Sequence, residues 1–233
     1  TFPKRMPYDI LKGKKISIGF DPKLFTKKTL NTFFGKNSCK LKPIKNNKIN
    51  KKKKRKFKKN NNKFYSLPTF SVGNTFKFKI NKIISNLKKK NADFQLITSS
   101  ENNAWLFNIR GGDSKYSPIP YSHSLISKKG TVIFFCDFNK LSSKLKRNFS
   151  RVKFLDINLI EKFISKIRKK KFLIDRQTCS LFFEKTILKR NKILNTEDLI
   201  YNLKSIKSQV EIKNVKKIHI YDGVALTKYL FWI

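Results

Sequence analysis

Residues 45–63 read KNNKINKKKKRKFKKNNNK, with no acid and with Ile49 and Phe57 as the only large apolar side chains. A segment of this kind buries too little apolar surface to offset the entropy of ordering its own backbone. In isolation it is expected to be disordered, and to order when a polyanion neutralises it. Whatever the chain folds into must therefore accommodate an extended basic arm or inserted loop.

The imbalance extends beyond the arm. The 233 residues carry 55 Lys and Arg against 14 Asp and Glu, a formal net charge of +41. Self-repulsion at that charge penalises a compact free state. Nucleic acid relieves it, because each neutralised phosphate releases condensed counterions; an anionic membrane surface relieves it too. Hydrophobic residues still make up 39% of the chain, with 22 Phe, which supports one or two modest cores. Only eight of the 55 basic residues are Arg and only three residues are Ala. This usage suits an A/T-biased genome such as an organelle's, and explains Lys over Arg without explaining the excess of bases over acids.

The opening residues, TFPKRMPYDILKGKK, show no apolar leader core, so no secretory signal is expected. No uninterrupted apolar run reaches the length of a membrane-spanning helix, so the chain is not expected to be transmembrane. Cys39, Cys136 and Cys179 are odd in number and far apart, which argues against a disulfide framework and for a reducing compartment.

The pattern along the chain predicts an α+β fold: a strand-rich middle, a helix-rich C-terminal third, and the basic arm. Three regions are expected, at 1–65, 66–155 and 156–233. Ile16, Ile18 and Phe20 alternate like a short strand, and a helical turn is expected over residues 29–34. Phe76, Phe78 and Ile80 alternate with Lys77 and Lys79, predicting a strand with a charged outer face, followed by a short helix over 81–90. Strands are also expected over 94–97, 105–109 and 131–138. Residues 110–122, RGGDSKYSPIPYS, read as a loop in which the paired glycines simply turn the chain. Helices are expected over about 159–170, 177–189 and from Thr196, where Glu197 and Asp198 favour the helix dipole. Asp222-Gly223 reads as a turn before a final strand over 224–233.

Catalytic chemistry is poorly supported at this level. His123 and His219 are the only histidines, and neither neighbours a nucleophile or an acid in a known motif. Two histidines and three scattered cysteines make a poor metal set, so no metal and no cofactor are expected. Asp113, Asp137, Asp156 and Asp175 are read as capping and salt-bridge residues rather than a catalytic cluster. The basic groups carry the candidate site. In the arm these are Lys51, Lys52, Lys53, Lys54, Arg55, Lys56, Lys58, Lys59 and Lys63, with Phe57 and Tyr65 placed to stack on unpaired bases. Beyond it lie Lys128 and Lys129; Lys144, Lys146, Arg147 and Arg151; and Lys169, Lys170 and Lys171.

Residues 196–207, TEDLIYNLKSIK, followed by VKKIHIYDGVALTKYL over 215–230, resemble the C-terminal domain of the large-subunit ribosomal protein fifteen family. Ile157-Asn158-Leu159 is similar to that family's I-N-L start, although this arm is rich in Lys and Asn where the family's is rich in Gly. The closing residues also resemble the end of small-subunit ribosomal protein three. These resemblances imply a structural, non-enzymatic constituent of an organellar ribosome, in the mitochondrial matrix. Its partners would be ribosomal RNA and neighbouring ribosomal proteins, with no small-molecule substrate. Two other classes stay open: an accessory subunit of a membrane-bound respiratory complex, and a divergent nucleic-acid enzyme such as a maturase or nuclease.

Overall fold

The structure is a computed structural model that describes residues 17–34, 40–45, 47 and 61–233. Lys51 to Lys59 of the basic arm lie outside the described residues, as does Cys39. The strands are β1 (Ser17–Phe20), β2 (Lys40–Pro43), β3 (Tyr65–Ser66), β4 (Phe94–Ile97), β5 (Ile109–Arg110), β6 (Ser122–Ser127), β7 (Val132–Cys136), β8 (Val152–Asp156), β9 (Lys171–Ile174) and β10 (Lys192–Asn195). The helices are α1 (Lys27–Phe34), α2 (Thr69–Val72), α3 (Phe76–Lys89), α4 (Ser100–Leu106), α5 (Ser143–Asn148), α6 (Ile160–Lys166), α7 (Leu181–Leu188), α8 (Leu199–Ser205) and α9 (Gln209–Trp232).

Six strands form one mixed sheet in the order β10-β9-β4-β6-β7-β8. Only β6 runs against its neighbours; the pairs β10/β9, β9/β4 and β7/β8 are all parallel. The expected α+β class, with its strand-rich middle and helix-rich C-terminal third, is what the chain adopts. Helices cover both faces, so the central strands are buried on each side, and β7 (VIFFC) reads as a continuous apolar run. In β7, Val132, Phe134 and Cys136 enter one core while Ile133 and Phe135 enter the other, as a period of two requires. The first core is completed by Ile83 and Leu87 of α3, Leu145 of α5 and Ile200 of α8. The second is completed by Ile164 of α6 and Ile187 of α7. The outermost strands, β8 and β10, each carry an exposed lysine, Lys153 and Lys192.

Three expectations are corrected. The segment read as an alternating strand at 76–80 is the start of α3. Thr75 caps it by accepting from the Phe78 amide, and Ile80, Ile83 and Leu87 recur at helical spacing on its buried face. Two of the expected positions are exchanged: Phe78 is exposed, while Lys79 is buried; Lys77 is exposed and Ile80 buried as expected. The Lys79 ammonium donates to the Trp105 carbonyl at 2.8 Å and to Asn108 Oδ1 at 2.6 Å, and lies over the Trp105 ring. Burial, set against the favourable charge of Glu211, lowers its pKa to about 8. The strand expected at 105–109 is instead the end of α4, which Ser99 caps, and the chain reverses at Asn108 with φ of 52°. The turn and strand expected around Asp222-Gly223 are absent, because 209–232 form one helix. Its start is fixed by a capping box in which the Ser208 hydroxyl accepts from the Glu211 amide and the Glu211 carboxylate accepts from the Ser208 amide.

Two glycines mark close approaches. Gly73, with φ of 71°, ends α2 where an added Cβ would stand 2.2 Å from Ser208 Oγ, so α2 and the start of α9 are pressed together there. Gly111 lies against the buried Phe64 ring, 2.6 Å from where a Cβ would be, so it does more than turn the chain.

Candidate functional site

In open sheets of mainly parallel strands, ligands bind beyond the carboxyl ends of those strands. That end is formed here by Thr98 after β4, Asp137 after β7, Asp156 closing β8 and Asp175 after β9, with the first residues of antiparallel β6, Ser122 and His123, between them. Two adjoining hollows open there and share Tyr121, Ile157 and Asn158 as a common wall. One has a volume of about 370 Å³ and is backed by His123; the other, about 600 Å³, is lined by Asp113, Asp137, Lys140 and Asp156.

The acids of the larger hollow hold the backbone. Asp113 pairs with Lys140 and accepts the Tyr121 amide at 2.7 Å, which closes the 110–122 loop. Asp137 accepts from the Asn139 amide and Asp156 from the Asn158 amide, each capping a short turn of helix. Asp175 likewise accepts the amides of Gln177 and Asp198. The reading of these four acids as capping and pairing groups describes their geometry.

His123 is 7% exposed, and its ring lies edge-on to Tyr121 and Phe183. Its Nδ1 is 3.1 Å from the Thr98 carbonyl, which can only accept, so Nδ1 carries the proton and Nε2 is left as an acceptor. Burial pushes the His123 pKa down to about 4, against the pull of that hydrogen bond, so the ring is neutral at neutral pH. Cys136 and Cys179 are buried, and desolvation pushes both thiols up to about 12, far from the thiolate a nucleophile needs. Among the described residues no three His, Cys, Asp or Glu side chains are grouped to hold a metal ion. The described residues of the crevice do not assemble a nucleophile or a metal centre.

The basic residues singled out in the sequence fall into separate places. Lys128, Lys169, Lys170 and Lys171 gather at the opposite end of the sheet, around Asp93. Lys128 forms a 3.0 Å ion pair with Asp93, whose other carboxylate oxygen accepts the Lys171 amide. Burial raises the Asp93 carboxyl, but the Lys171 amide and Lys128 together hold it below the ordinary range. Lys129 sits in the exposed β6–β7 turn. Lys144, Lys146 and Arg147 lie on α5, with Arg151 just beyond; the Lys146 ammonium stands over the Phe138 ring. Lys63 donates to the Asn139 carbonyl, and Tyr65 is exposed in β3. His219 lies on exposed α9, where its ring nitrogen bonds the Val215 carbonyl one turn earlier. Sequence reasoning missed the pairing of His123 with Thr98 because residues 25 apart meet only through the β4/β6 register.

Residues 54–211, which hold this mixed sheet, match the Creatinase/Prolidase N-terminal domain. The chain belongs to that family. It is 31% identical over 227 residues to the Xaa-Pro aminopeptidase ApepP of Drosophila melanogaster, covering 93% of this chain and 36% of that one. A probable Xaa-Pro aminopeptidase P of Pyrenophora teres f. teres is 28% identical over 179 residues, covering 71% of this chain and 27% of the relative. The chain thus spans only about a third of the length of these relatives. The fold matches a solved X-prolyl aminopeptidase from Caenorhabditis elegans, described as a cytosolic enzyme with a di-nuclear active site. The TM-score is 0.81 at 22% identity, over 95% of this chain and 38% of that one.

These matches overturn the ribosomal reading. The stretches at 196–207 and 215–230 that resemble ribosomal protein fifteen form α8 and the exposed α9 of a peptidase-family domain. With that reading go the ribosomal RNA and ribosomal-protein partners, the exclusion of a small-molecule substrate, and the non-enzymatic role, because the relatives are named as aminopeptidases acting on Xaa-Pro sequences. The respiratory-subunit and maturase or nuclease alternatives fall with it. No helix among the described residues is long and apolar enough to cross a membrane.

Proposed function

We propose that this chain is the N-terminal part of an Xaa-Pro aminopeptidase and that it helps hold the peptide while hydrolysis occurs at residues other than those described. The observation that carries this is the relationship to the Drosophila Xaa-Pro aminopeptidase, which runs through 93% of this chain yet takes up only 36% of the relative. The crevice chemistry agrees: capped acids, a neutral histidine and inert thiols suit binding. The di-nuclear centre named for the nematode enzyme does not fit the described acids and histidines, which are not grouped as ligands, and no step is assigned to a metal on this chain.

The test uses the native protein that carries this chain, isolated with an antibody raised against it. It is given short peptides with Pro or Ala at the second position, with a divalent metal supplied. Release of the first residue from the Pro peptides and not from the Ala peptides is the expected result. Absence of release from every Pro peptide, across Mn, Zn and Co, would overturn the reading.

A further inference from the structure

The smaller hollow contains more unsatisfied polar groups than a structural cavity requires. Thr98 Oγ1 and Ser180 Oγ, both at its wall, are shielded from bulk solvent and have no hydrogen-bond partner among the described residues. His123, whose Nδ1 bonds the Thr98 carbonyl, lines the same hollow and keeps Nε2 as an acceptor. Buried polar groups are rarely left in this state unless something else completes them.

Ser180 is the N-cap of α7, and its side chain makes no capping bond. The Leu181 and Phe182 amides that follow are already taken by the Phe25 and Pro22 carbonyls, which pin the loop after β1 against this helix start. A hydroxyl donor at a helix N-terminus, with Lys23 beside it at the rim, suits a carboxylate. The acceptor His123 and the exposed Glu161, which suit an ammonium, also line the hollow, and Ile157, Ile160 and Phe183 give it apolar surface.

We propose that this hollow binds a free α-amino acid with an apolar side chain, carboxylate toward Ser180 and Lys23, ammonium toward His123 and Glu161. A volume of about 370 Å³ accommodates a molecule of that size. Inorganic phosphate is disfavoured, because its negative charge would face Glu161. The inference stands apart from the peptidase reading, since it concerns binding at this hollow and not turnover.

Titration calorimetry on the native protein, with L-leucine as the probe, tests it. Leucinamide lacks the carboxylate, 4-methylpentanoate lacks the ammonium, and inorganic phosphate serves as the plain anion. L-leucine should bind saturably, each truncated analogue about ten-fold or more weakly, and phosphate not at all. Ser180→Ala and Glu161→Gln should each weaken L-leucine about ten-fold, the scale of a lost hydrogen bond to a charged group. Glu161 is exposed, so its variant leaves the fold in place. No saturable binding would mean that water alone completes these groups, and would overturn the proposal. So would L-leucine binding indifferent to both substitutions, an amide that binds as well as the acid, or phosphate that binds better than either. Heat is the readout, so a protein that hydrolyses no peptide can still pass, and an active one can still fail.

Discussion

His123 shows how one side chain couples burial to acid stability. Its ordinary pKa of 6.5 falls to about 4 in the fold, because the imidazolium cannot be hydrated between Tyr121 and Phe183. Between those values the unfolded chain holds a proton that the native chain does not. Stability is therefore lost as the pH drops from about 6.5 to about 4, by about 3 kcal/mol for the full difference. His123→Phe should flatten that dependence. Urea unfolding of both proteins at pH 7 and pH 4.5 checks it, and equal losses in the two would refute the account. Asp198 presents a different case. Burial raises its pKa, yet both oxygens act as acceptors: Oδ1 from Gln95 Nε2 and the Ile200 amide, Oδ2 from Asn102 Nδ2. Asp198→Ala should cost about 3 kcal/mol by denaturant unfolding, and Asp198→Asn should cost nearly as much, since one side of an amide would point donors at a donor. A fully stable Asn variant would show that the network relaxes.

At the scale of elements, Asp198 is where four of them are tied: β4 through Gln95, α4 through Asn102, the end of β9 through Asp175, and α8, which it caps. No local sequence pattern announces such a knot, because its members lie about 100 residues apart. What was legible was local and strongly biased. The VIFFC run of β7 and the FQLI run of β4 have the length and composition of buried strands, and both are strands. What misled was overlap of two periods. FKFKI alternates, yet Ile80, Ile83 and Leu87 continue at helical spacing, and the Thr75 cap with the core beneath decides for helix. In α9 the pair Asp222-Gly223 imitates a turn; no atom among the described residues lies within 4 Å of where a Gly223 Cβ would stand, so the helix runs through it in open space. The crevice was not legible: local sequence marks its four aspartates only as capping groups, and sheet register alone brings His123 to Thr98.

For the whole molecule, the charge that dominates the sequence did not identify the family; the match over residues 54–211 and the relationship to the Drosophila protein did. The least satisfied surface is α9. Its anchorage is near its start, where Asn214 donates to the Phe70 and Ser71 carbonyls of α2. Beyond that, Ile218, Tyr221, Leu226, Leu230, Phe231 and Trp232 are all exposed. This 233-residue chain expressed alone should bind a hydrophobic dye and self-associate with rising concentration, and ending it after Asn214 should abolish most of both effects while the sheet stays folded. Dye fluorescence and sedimentation velocity check this; undiminished association in the shortened chain would place the adhesive surface elsewhere. The lysines matter in another way. A sheet with two open edges is a template for further strands, and a chain with 22 Phe is a dangerous one to leave unguarded. Lys153 on β8 and Lys192 on β10 place a desolvation and repulsion cost on any strand that docks there, copies of this chain included. The charge excess thus makes fibrillar growth from either edge unfavourable.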